Sequence, residues 1–169
     1  MRTDVLWDLR MPCDWGLEVG ILYEMKRNHS LSRICQADIA DSYDHKHQPL
    51  SQQDATAGLS KMSIDIANAI FRKLATEGVV FSMETFRTIK ATYYRMALDF
   101  IEIYGNDAIM NGLKLDRHSE EQAVELFAQN IMSAGKDYLD MPMNAPFIPA
   151  WNRVKSAVPD VLDRLKTAV

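Results

Sequence analysis

Between residues 59 and 131 apolar side chains return every three or four positions in three successive stretches, a period that commits this part of the chain to amphipathic helices. Leu59, Met62, Ile66, Ile70 and Leu74 make the first stripe, which stops near Gly78, a residue suited to the left-handed turn that closes helices. Phe86, Ile89, Tyr93, Met96, Phe100 and Ile103 make the second, with Ser82 placed as its cap. The third carries Ala123, Val124, Phe127 and Ile131; Ser119 followed by Gln122 reads as a capping box at its start, and Gly135 as its end. Such faces cannot remain in water, so the first two helices are expected to pack together.

Around this block the pattern changes. From Trp15 to Lys26, Leu17, Ile21, Leu22 and Met25 recur at helical spacing, with Asp14 placed to cap the first turn. Arg33 to Ala40 alternates, sending Cys35, Ala37 and Ile39 to one face, which predicts a half-buried strand. Asp41 to Asp54 is polar, contains Pro49 and reads as a loop. Near the other end, Pro142, Pro146 and Pro149 exclude regular helix and predict an extended crossing anchored by Trp151. A final helical region follows, with Pro159 opening its last part. The expected fold class is mostly α with a small β part, an α+β arrangement. A lone strand leaves its backbone donors and acceptors unpaired, so it calls for sheet neighbours that these residues do not provide.

Composition narrows the partners. The 169 residues are 47% hydrophobic with a formal net charge of −4, which fits one domain-sized core and gives no general attraction to nucleic acid or anionic membrane. Cys13 and Cys35 are too few for a disulfide framework or a four-thiolate zinc site. Arg2, Asp4, Asp8 and Arg10 break up any signal-peptide core, and no apolar run is long enough to span a bilayer. A soluble protein of the reducing cytoplasm is expected.

Two short segments could carry chemistry. In Asp44-His45-Lys46-His47-Gln48 an extended backbone would turn His45 and His47 the same way, where they could share a metal or a phosphate; solvated loop histidines are the plainer reading. In Asp14-Trp15-Gly16-Leu17-Glu18-Val19-Gly20 a carboxylate sits between two glycines at a helix start, either as a ligand-facing group or as an ordinary first-turn Glu favoured by the helix dipole. His118 is expected to support a helix entrance, His29 to lie in a solvated turn, and Arg72, Arg87, Lys90 and Arg95 to mark wet helix faces. There is no Gly-rich phosphate loop, no nucleophile elbow and no pair of aspartates separated by one residue, so nothing here would hold a nucleotide diphosphate alone.

Taken in order, P-C-D-W-G-L-E-V-G at Pro12 to Gly20, Ile34-Cys35-Gln36-Ala37-Asp38, and Y-D-H-K-H-Q-P-L at Tyr43 to Leu50 resemble the second half of glucosyl-3-phosphoglycerate synthases and related mannosyl-3-phosphoglycerate synthases. Asn111-Gly112-Leu113, Asp116-Arg117-His118 and Ile148-Pro149-Ala150-Trp151 extend the resemblance along nearly the whole chain. It implies the carboxy-terminal portion of a GT-A-type nucleotide-diphospho-sugar transferase, with 1–55 ending the catalytic domain and 56–169 forming a helical subdomain. It further implies a retaining transfer of a hexose from a nucleotide-diphosphate sugar to 3-phosphoglycerate or a similar glycerate, assisted by Mg2+ or Mn2+. The family's metal-binding histidine falls on His45 and its glycine-flanked glutamate, near the acceptor, on Glu18. Two and three residues after the histidine better-known members carry Asn and Arg beside the acceptor; His47 and Gln48 stand there instead. The implied metal also takes an Asp pair from upstream, so the chain alone is expected to be inactive or nearly so. The competing readings are a non-enzymatic helical binding or oligomerisation module that self-associates, and a small zinc hydrolase on His45 and His47.

Overall fold

The protein is seen in a computed structural model that describes residues 3–39, 48–51, 53–143 and 147–168. It forms two compact units, one from 1–41 together with 145–169, the other from 42–144.

The second unit is built from the three stripes. They become α3 (Gly58–Thr76), α4 (Met83–Met110) and α5 (Arg117–Asp140). The element shared by the other two is α5, which packs along both α3 and α4, whereas the sequence pointed to a pairing of α3 with α4. Those two meet beside their connecting turn, where Phe71, Phe81 and Phe86 are buried against Ala134. The Phe71 and Phe86 ring centroids lie 4.8 Å apart, Phe81 stacks on Phe86 at 5.2 Å, and Tyr138 closes edge-on over Phe81 at 5.5 Å. Rings at these separations gain about 0.5–1.5 kcal/mol per pair beyond area burial, which makes this cluster the anchor of the bundle.

Caps explain the helix bounds. Gly78 adopts φ +91, and Val79 N–H reaches back to Leu74 C=O at 3.2 Å, ending α3 as expected. Ser82 Oγ accepts from Thr85 N–H at 3.3 Å while Thr85 Oγ1 accepts from Ser82 N–H at 3.4 Å, a reciprocal box that starts α4. At α5 the cap is Asp116, whose Oδ1 accepts from Ser119 N–H at 3.3 Å; the expected Ser119 box lies one turn inside the helix. Gly135 does not end α5. It sits mid-helix because a Cβ there would lie 2.5 Å from Cγ of Phe86.

Polar groups inside the bundle are treated unevenly. Asn130 Nδ2 donates to Ser63 Oγ at 2.7 Å and to Ser60 Oγ at 3.2 Å, tying α5 to α3. Asn68, only 8% exposed, has a side-chain carbonyl with no hydrogen-bond partner among the described residues. Such a group bears its desolvation cost uncompensated, so Asn68→Leu is expected to raise stability by about 1 kcal/mol in chemical denaturation. A fall in stability would show that the amide serves a partner.

The first unit joins two stretches of chain. It contains α1 (Thr3–Leu6), β1 (Met11–Pro12), α2 (Leu17–Asn28), a 3-10 turn (Leu31–Arg33), β2 (Phe147–Ile148), α6 (Trp151–Ala157) and α7 (Val161–Thr167). β1 and β2 pair antiparallel, Met11 opposite Ile148 and Pro12 opposite Phe147. Trp7 and Trp151 meet edge to face at 6.1 Å, Lys155 Nζ lies 4.9 Å from the Trp7 ring, Asn152 N–H donates to Trp7 C=O at 3.0 Å, and the Asn152 amide bonds Asp8. Trp151 is thus an anchor, as expected. The strand expected over 33–40 is absent among its described residues: 34–39 is irregular and exposed, and no described strand pairs with it. Its alternating pattern reflects residues that this unit leaves in water. Among the described residues no helix is long and apolar enough to cross a membrane.

Candidate functional site

The glycine-flanked glutamate owes its position to close packing behind it. Asp14 Oδ1 accepts from Gly16 N–H at 2.9 Å, a local turn that feeds α2 without directly capping it. Gly20 is buried one turn later, and a Cβ there would fall 2.7 Å from Cγ and Cδ of Pro12. That approach lets β1 lie against α2. Glu18, between the two glycines in the first turn of α2, is exposed. The glycines therefore serve the β1–α2 contact, and the carboxylate they flank is left in solvent at a helix N-terminus, where the dipole favours negative charge.

Two cavities open in the same unit, and Glu18 lines neither. One, of about 480 Å³, takes Asp4, Asp8, Arg10, Glu24, His29 and Arg33 into its wall. Glu24 is only 3% exposed and accepts from Asn28 Nδ2 at 3.3 Å. The other, of about 630 Å³, is more apolar, with Ile21, Leu22, Met25 and Ile34 beside His29 and Arg33. His29, expected in a solvated turn, is half-buried and borders both. The sequence held one sign of this arrangement: Glu24 stands inside an apolar helical stripe, four residues before Asn28.

Gln48 belongs to the second unit and is half-buried. The short stretch it heads is tied to α3, since Pro49 C=O accepts from Leu59 N–H at 2.9 Å. Gly58 at φ +54 starts that helix, and a side chain there would collide with Pro49 C=O and Ser51. His45 and His47 lie outside the described residues. Among the described residues no cluster of three or more His, Cys, Asp or Glu could hold a metal. These residues therefore do not by themselves fit a divalent cation. His118 opens α5 as expected, with its Nε2 3.0 Å from Gln122 Nε2.

No family model matches the chain, and no solved structure matches it. Curated relatives do. A glucosyl-3-phosphoglycerate synthase of Persephonella marina is 43% identical over 161 residues, covering 95% of this chain and 40% of the relative. The chain is related to the glucosyl-3-phosphoglycerate synthases. A second glucosyl-3-phosphoglycerate synthase, of Methanococcoides burtonii, is 41% identical over 170 residues, 99% of this chain and 41% of the relative. The chain thus spans about 40% of the length of the synthases it matches.

Proposed function

We propose that this chain is the carboxy-terminal, acceptor-side portion of a retaining GT-A-type hexosyltransferase that moves a sugar from a nucleotide diphosphate to 3-phosphoglycerate or a closely similar glycerate. The observation that carries the proposal is the match itself, end to end at 41–43% identity with two glucosyl-3-phosphoglycerate synthases. In this reading 1–55 completes the catalytic domain and 56–169 is its helical support, a functional division distinct from the two compact units. The proposal includes a cytoplasmic setting and a homodimeric assembly.

Transfer forms a bond between the acceptor hydroxyl oxygen and the anomeric carbon and breaks the bond from that carbon to the diphosphate. The nucleoside diphosphate leaves, and the hydroxyl proton must go to a nearby base or to the leaving group. Glu18, exposed on α2, is the group assigned to orient that hydroxyl or take its proton. His47 and Gln48 would contact the acceptor, and His45 would give one donor to Mg2+ or Mn2+. Since the described residues lack the remaining donors, the chain alone is proposed to be inactive or nearly so.

The test is a chimera. Joining this chain to the part of the Persephonella synthase that it does not match should give transfer of glucose from a nucleotide sugar to 3-phosphoglycerate, read by product formation. A folded chimera that binds nucleotide sugar yet makes no product would overturn the proposal.

A further inference from the structure

The two cavities of the first unit have no part in the proposed transfer, and they adjoin: Val5, His29 and Arg33 stand in the walls of both. The charged one, of about 480 Å³, falls within the usual size of a small-molecule site. Three short segments assemble its wall. α1 and the turn after it bring Asp4, Asp8 and Arg10, the end of α2 brings Asn28 and His29, and the 3-10 turn brings Arg33. At a rise of about 1.5 Å per residue, the end of α2 lies about 15 Å along the helix from Glu18.

The charges in that wall say what fits it. Arg10 and Arg33 are exposed and make no ion pair with a described residue. Guanidiniums are planar donor forks, the geometry that grips a carboxylate bidentately. A simple anion would meet Asp4, Asp8 and Glu24 in the same wall, and a simple cation would meet the two arginines. A molecule carrying one charge of each sign finds an opposite group for both, the arrangement that electrostatic complementarity favours. The acidic side is set in place beforehand: the Asn152 amide bonds Asp8, and Glu24, buried, accepts from Asn28 Nδ2 at 3.3 Å. The adjoining cavity, of about 630 Å³, adds an apolar wall of Ile21, Leu22, Met25 and Ile34. Leu22 is 65% exposed and Ile34 40%, so an apolar substituent on the same molecule would cover surface now left in water.

We propose that the adjoining cavities form a binding site for an α-amino acid with an apolar side chain, its carboxylate on Arg10 and Arg33, its ammonium on Asp4 and Asp8, and its side chain among Leu22, Met25 and Ile34. The site is built from residues 4–35 alone, and its test needs no transferase activity, so failure of either reading leaves the other standing.

Calorimetric titration of the purified 169-residue chain with L-leucine is expected to show one site per chain. Isocaproate, which is leucine without its amine, and isoamylamine, which is leucine without its carboxylate, should each bind at least about tenfold more weakly, since each leaves charged wall groups without a partner. Glycine should also bind at least about tenfold more weakly, for want of the apolar contact. Arg10→Ala and Arg33→Ala should each weaken L-leucine and isocaproate by about tenfold and leave isoamylamine unaffected or improved. Both arginines are exposed, so helicity and melting should stay those of the parent. Leu22→Ser should bring L-leucine down toward glycine. No heat from L-leucine, isocaproate binding as tightly as L-leucine, or L-leucine binding unchanged when Arg10→Ala and Arg33→Ala are combined in a folded chain would overturn the proposal.

Discussion

Gly135→Leu is expected to lower the stability of the helical unit by about 3 kcal/mol, the upper end of what overpacking a tight core costs. A Cβ at this site would stand 2.5, 2.6 and 2.8 Å from three atoms of the Phe86 ring. That ring has no room to retreat. Phe86 is fully buried, with Phe71 and Phe81 against it and the Tyr138 ring at 6.3 Å. Gly135→Ala meets the same obstacle with one carbon and regains up to about 1 kcal/mol of helix propensity, so its net loss should be smaller. Chemical denaturation followed by circular dichroism measures both. Pairing Gly135→Ala with Phe86→Leu should recover part of the loss, since a narrower side chain frees the space. Equal stability for Gly135→Leu and the parent would mean that the helix can shift away from the ring, and would refute the close approach.

The second large effect concerns chemistry and uses the chimera with the Persephonella portion. Glu18→Gln is expected to reduce kcat by about 100-fold or more if the carboxylate takes the acceptor proton, the usual scale for losing a general base. If Glu18 only orients the hydroxyl, glutamine retains a hydrogen-bonding oxygen and the loss should be small, whereas Glu18→Ala should raise the acceptor KM. Glu18 is exposed, so neither change should disturb melting. His45→Ala should abolish transfer and its response to added Mn2+, and Gln48→Ala should act on the acceptor KM alone. Full activity in Glu18→Ala would remove this residue from the site. Gly20→Val is the useful contrast: it forces a side chain into Pro12 and should cost stability first and activity only as a result.

The sequence was clearest where a period was long. Nineteen to twenty-eight residues of unbroken helical spacing left little choice for α3 and α4, and the bounds followed from Gly78 and Ser82. Short patterns misled for lack of partners. Alternation at Cys35, Ala37 and Ile39 is only a request for a sheet, and among the described residues no neighbouring strand answers it. Gly135 looked like a stop because its true reason, a ring contributed by another helix, is nonlocal. The same holds for the pairing of β1 with β2, two-residue strands separated by more than a hundred positions, which no local signal announces. Of the candidate site, the helix-start setting of Glu18 was legible from its glycines, though their cause, the seat for Pro12, was not. The cavity around Glu24, Arg10 and Arg33 escaped notice because its wall comes from segments that are individually unremarkable.

The β1–β2 clasp also sets a timetable. Because the strand at Met11 waits for the one at Phe147, the first unit is not complete until that later segment has been made, whereas α3, α4 and α5 have all their mutual contacts earlier. The intervening bundle can therefore condense during synthesis and shorten the effective loop that the late-joining segments must close. A chain ending at residue 144 should protect the bundle from protease and leave Trp7 accessible to quenchers, and restoring residues 145–169 should cover Trp7.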